Sequence, residues 1–127
     1  MLTHDELVLR FDSIIQSVLD YGATVFMNCG VCLNARMLRL CKRAFRIIHN
    51  FDVKICDKCN ILDIEHRRIS LALKLYKTAI FSDNHVLHHL LPPFSCRSNR
   101  LILPHCRTAR RAESFVFYCS QLYNEGL

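Results

Sequence analysis

Between Arg36 and His49 the apolar and basic positions separate cleanly by helical spacing. At about 100° per residue, Met37, Leu38, Cys41, Ala44, Phe45 and Ile48 fall on one side; Arg36, Arg39, Lys42, Arg43 and Arg46 fall opposite. The pattern predicts an amphipathic helix beginning near Asn34, with a cationic stripe that no acidic residue interrupts. Like charges at i,i+3 and i,i+4 repel slightly, so the stripe either meets an anion or remains an ordinary solvated face. Leu40 and Ile47 sit on the shoulder beside the stripe and are predicted to be partly exposed if only the opposite face packs.

The rest of the chain also reads as helical. Thr3 and Glu6 have the capping-box spacing, and Leu7, Phe11, Ile14, Ile15, Val18 and Leu19 repeat at helical intervals, so a first helix is predicted to run to about Asp20. Gly22 is a natural place for it to end or weaken, and Asn28 with Gly30 marks a turn before the basic helix. After Asn50 the stretch FDVKICDKCN has little periodicity and reads as a loop. Asp63 caps a predicted helix over 64–81 whose apolar residues surround most of the cylinder, making it the candidate central helix. Arg67 and Arg68, near its start, are read as pairing with Glu65 or with carbonyls of a neighbouring helix. A short turn, HVLHHL, must stop at Pro92 and Pro93. Residues 94–108 read as irregular, with RLILP (100–104) the only strand-like piece, and RRAESFVFYCSQLYN as a last helix with Phe115, Tyr118, Cys119 and Leu122 inward. Tyr21, Phe26, Phe115 and Tyr123 are assigned to the core ahead of any base-stacking role. The expected fold is all-α: about four helices with a basic irregular segment near 94–110, in one helical domain spanning 1–127.

Composition sharpens this picture in two respects. A hydrophobic content of 51% over 127 residues argues against disorder and suffices for a core without disulfides. The net charge of +6 is unevenly placed: residues 1–20 carry four acids, whereas 36–46 carry five basic groups and no acid. A second acid-free cluster, Arg97, Arg100, Arg107, Arg110 and Arg111, lies in the irregular segment. A one-sided basic surface suggests an acidic partner such as nucleic acid. The opening MLTHDEL lacks the features of a secretory signal, so reduced thiols and an intracellular location, nuclear or cytoplasmic, are expected. No uncharged run reaches the roughly 20 apolar residues of a membrane span, and no membrane partner is expected.

Eight cysteines include two CxxC pairs, Cys29/Cys32 and Cys56/Cys59, the usual shorthand for a zinc site. The intervening chain weighs against it. A helix over 34–50 separates its ends by about 24 Å, while the flanking links reach only about 27 Å fully extended. The competing reading makes the cysteines, with Cys41 and Cys119, small buried hydrophobes, and no metal or other cofactor is expected. No Gly-rich phosphate loop and no paired carboxylates recommend catalysis, so the chain is not expected to be an enzyme.

The order of short motifs adds a further reading. Tyr21-Gly22-Ala23-Thr24-Val25-Phe26, then Leu38-Arg39-Leu40-Cys41-Lys42-Arg43-Ala44-Phe45, then Leu62-Asp63-Ile64-Glu65-His66-Arg67-Arg68 resembles the C-terminal part of non-LTR retrotransposon reverse transcriptases. That region shows tyrosine-glycine with a tryptophan four residues on, Gln-Lys-Arg-Ala, and Leu-x-x-Glu-x-Arg-Arg. His88-His89-Leu90 before the prolines, Arg97-Ser98-x-Arg100, Leu103-Pro104-x-x-Arg107-Thr108 and Leu122-Tyr123-Asn124 continue in the family's order. Phe26 and Tyr123 stand where tryptophan is usual, and Cys41 where glutamine is usual. The palm, with its metal-binding aspartates, has no counterpart here. The resemblance implies a fragment or remnant of the thumb and post-thumb region, holding an RNA/DNA hybrid by its backbone and possessing no chemistry of its own. Its partners would be nucleic acid and the missing polymerase domain. Alternatives from other classes are a helical protein-interaction module and an unselected relic reading frame.

Overall fold

The computed structural model describes residues 2–50 and 63–126. Among them the chain is all-α. It divides into two compact units, Met1–Arg68 and Ile69–Leu127.

The first unit opens with α1 (His4–Arg10), a π-helical stretch (Phe11–Gln16) and α2 (Ser17–Tyr21) in direct succession. The predicted capping box is present. The Thr3 backbone N–H donates to Glu6 Oε2 at 2.7 Å, and the Glu6 N–H donates back to Thr3 Oγ1 at 3.4 Å. The π stretch was not foreseen, and it has a consequence for packing. An i→i+5 ladder inserts extra residue into each turn and rotates the face that follows. Phe11 is buried, yet Ile14 is 63% exposed and Val18 also faces solvent, although both share its helical spacing.

Gly22 ends this run, as its sequence position suggests, and the reason is spatial. A Cβ there would come within 2.5 Å of the Phe26 ring, which lies over it from the short α3 (Ala23–Phe26). Tyr21, expected in the core, is 94% exposed: it lies at the end of α2, pointing away from the packed face. After a turn at Met27 and Asn28 comes α4 (Val31–Ile48), starting three residues before the predicted Asn34. Its apolar side packs as expected. Cys41 and Ile48 are buried, and Leu38, Phe45 and Leu19 close around Cys41 and Ile64. The Phe11 and Phe45 rings meet at 4.9 Å between centroids, a tilted pair typical of aromatic packing.

The helix α5 (Asp63–Phe81) supplies its residues through Arg68 to the first unit and the remainder to the second. In the second unit Ala72, Tyr76, Ala79 and Ile80 of α5 are buried with Leu101 and Cys119. Tyr76 meets the Phe115 ring edge-on at 6.1 Å, and its hydroxyl is hydrogen-bonded to Ser120 Oγ, which also donates to the Val116 carbonyl at 2.6 Å. A 3-10 turn (His88–Leu90) precedes Pro92 and Pro93, as predicted. The last predicted helix is two: α6 (Ala109–Ala112), capped by the Thr108 side chain, and α7 (Phe115–Asn124).

Candidate nucleic-acid interface

The basic stripe is built on α4, and its spacing puts five cations on one side of about three helical turns. Arg36, Arg39, Lys42, Arg43 and Arg46 are all exposed. Among the described residues none of them lies within ion-pair distance of a carboxylate. The ion pair of an arginine formed there belongs to Arg67, with Asp20. Arg39 Nε donates to the Ala35 carbonyl at 3.3 Å, which lays that side chain back along its own helix. The other four cations are exposed and have no carboxylate partner among the described residues.

Both arginines of α5 bond to residues of the first unit, Arg67 from an exposed position and Arg68 from a buried one. Arg67 grips Asp20 with a fork, Nε to Oδ1 at 2.9 Å and Nη2 to Oδ2 at 2.6 Å, and this hydrogen bond holds the Asp20 carboxyl below the usual carboxylate range. The expected pairing with Glu65 is replaced here by Asp20. Arg68 is only 3% exposed, and it does take a carbonyl: Nη1 donates to Phe26 O at 3.1 Å, and Nη2 to Asn34 Oδ1 at 2.6 Å. Cys29 Sγ lies 3.2 Å from Nη1, and Nε has no hydrogen-bond partner among the described residues. Asn34, read as the helix start, is instead this guanidinium's acceptor in the first turn of α4.

Arg97, Arg100, Arg107, Arg110 and Arg111 belong to the second unit, and all are exposed. The segment carrying Arg97 and Arg100 is less irregular than its composition implied. Phe94 and Leu101 form an isolated antiparallel bridge, with the Ser95 N–H donating to Arg100 O at 2.7 Å and the Ile102 N–H to Pro93 O at 2.8 Å. Asn124 then clamps Leu101: its Oδ1 accepts the Leu101 N–H at 2.9 Å and its Nδ2 donates to the Leu101 carbonyl at 3.0 Å. One side-chain amide thus replaces a missing strand neighbour. Residues 97–100 form a tip whose base is held by the Phe94–Leu101 bridge and by Asn124.

Cys29 is half-buried and Cys32 exposed, while Cys56 and Cys59 lie outside the described residues, as does the predicted 51–60 loop. Among the described residues no three His, Cys, Asp or Glu side chains gather as a metal would need. Cys41 and Cys119 are buried thiols. Burial pushes Cys41 up against the opposing effect of Arg68, and pushes Cys119 up to about 12, so both are neutral and act as packing groups.

No protein-family model, curated protein or solved structure matches the chain. Among the described residues no helix is long and apolar enough to cross a membrane.

Proposed function

We propose that this chain binds nucleic-acid backbone through α4, as a non-catalytic fragment or remnant of the thumb and post-thumb region of a non-LTR retrotransposon reverse transcriptase. The observation that carries the binding reading is the stripe itself: five exposed cations on one face, without a carboxylate partner among the described residues. A helix face of that kind repels itself when isolated and is relieved by a line of phosphates. The remnant reading rests on the ordered motifs, and several of their residues have structural employment compatible with a shared scaffold. Gly22 makes room for the aromatic four residues later, Arg67 and Arg68 tie α5 to the elements before it, and Asn124 holds Leu101.

Binding of an RNA/DNA hybrid across a salt series tests the proposal, comparing the parent with Arg39, Lys42, Arg43 and Arg46 all changed to Gln. The logarithm of affinity should fall steeply with that of salt, and the variant's slope should be shallower by up to about 3.6, from about 0.9 counterion for each of four lost phosphate contacts. Equal slopes, or a parent that does not bind, would refute it.

A further inference from the structure

We infer that the first unit carries a docking groove for an acidic amphipathic helix of a partner protein, seated along α4 beside the basic stripe. The inference goes beyond phosphate binding because it rests on apolar side chains that the stripe does not use. Leu33, Met37, Leu40, Ala44 and Ile47 follow one another at intervals of four, three, four and three residues, the spacing of a coiled-coil seam. The fold leaves three of these five side chains exposed and the other two, Met37 and Ala44, half-buried. Leu40 is 68% and Ile47 52% exposed, and Leu33 is exposed as well.

Across from the seam, the outward rotation of the π-helical stretch brings Ile14 and Ile15 to the surface, so the two elements enclose an apolar trough. Two hollows lie along it, of about 310 and 260 Å³, and they share Phe11, Ile15 and Ala44. The hollowed part, from Met37 to Ile47, runs about 15 Å, nearly three helical turns, and Leu33 extends the exposed seam beyond it. A concave strip of that length takes the ridge of a third helix better than it takes a flat surface.

The rim charges select the occupant. Arg36 and Arg43 precede Met37 and Ala44, in the flanking positions that set partner choice in coiled coils. The positions on the other flank, Cys41 and Ile48, are buried in the unit's own core. Arg10 is the charged residue lining the trough on the opposite wall. A second copy of this chain docked antiparallel would set arginine against arginine, and docked parallel would offer them no acid. A helix with Leu on its seam and Glu on its flanks satisfies both the trough and its rim.

The test uses a synthetic peptide of about three heptads with Leu at both seam positions and Glu at the flanks. A Lys-flanked version and a scrambled one serve as controls. Titration against the parent and the double variant Leu40→Gln/Ile47→Gln should show binding of the Glu peptide alone. The variant, whose changed side chains are outside the core, should keep its ellipticity and lose about tenfold or more in affinity. Its hybrid binding should not change, whereas Arg39→Gln/Lys42→Gln/Arg46→Gln should weaken the hybrid and spare the peptide. Failure of the hybrid arm and failure of the peptide arm are therefore separate results. The inference is overturned if the Lys peptide binds equally, if the Glu peptide does not bind or is indifferent to the double variant, if the seam instead mediates self-association, or if phosphatidylserine vesicles displace the Glu peptide from Leu40 and Ile47.

Discussion

Arg68 offers the most discriminating perturbation of the first unit. Its guanidinium is buried among neutral acceptors, and among the described residues no carboxylate pairs with it. Two of its bonds go to oxygen, Phe26 O and Asn34 Oδ1, and hydrogen bonds from a charged donor are worth roughly 1.5–3 kcal/mol each. Removing the side chain also relieves the desolvation of an unpaired cation, which offsets part of that loss. Arg68→Ala should therefore cost about 3 kcal/mol, including the space left behind. Arg68→Met refills that space with apolar contacts and should cost less, about 1–2 kcal/mol. Arg68→Lys keeps the charge but loses the fork that reaches two acceptors at once, so it should be no better than alanine. Urea titration followed by far-UV ellipticity measures the order, with hydrogen exchange over 23–37 to locate the loss. With a slope of about 1.5 kcal/mol per molar, the alanine variant's midpoint should drop by about 2 M. A lysine variant more stable than the methionine variant would refute the reasoning, because it would mean that charge rather than fork geometry holds the site.

Other consequences can be checked alongside. Asp20→Asn should cost only about 0.5–1 kcal/mol at neutral pH, since Arg67 is half exposed. Because the folded carboxyl titrates below its ordinary value, the pair's contribution is present above the normal carboxylate range and lost as pH falls through the lowered value. Parent and variant midpoints should therefore converge as pH falls through that lowered value. Asn124→Asp keeps the acceptor for the Leu101 N–H but turns an oxygen toward the Leu101 carbonyl. A loss of about 1–3 kcal/mol is expected, with faster amide exchange at 94–102. Ser120→Ala strands the buried Tyr76 hydroxyl and should cost more than Tyr76→Phe/Ser120→Ala together, a comparison a double-mutant cycle makes directly.

Much of the architecture was legible because it is written at a fixed period. The packing of Cys41, Phe45 and Ile48 and the exposure of the arginines on α4 follow from helical spacing alone, as does the partial exposure of Leu40 and Ile47. Ile14 and Val18 were misleading for the same reason. A π-helical stretch changes the period without leaving a mark in the hydrophobic pattern. The roles of Arg68 and Asn124 depend on partners 34 and 23 positions away, so no local window contains them. Tyr21 shows the limit of residue type as a guide, since an aromatic at a helix end can point wholly to solvent. The seam from Leu33 to Ile47 was readable as a four-three alternation, but only the exposure of its members distinguishes an open face from a packed one.

The Asn124 clamp also sets an order of events during synthesis. Leu101 leaves the ribosome with its N–H and carbonyl lacking their amide partner, which arrives 23 residues later, a delay of roughly one to five seconds at ordinary elongation rates. Until then the bridge between Phe94 and Leu101 lacks its brace. The presentation of Arg97 and Arg100 is consequently a late event, completed only when the final turn of α7 has been made. A premature stop just ahead of Asn124 would remove no arginine and yet would leave the base of that tip held by its own backbone bonds alone.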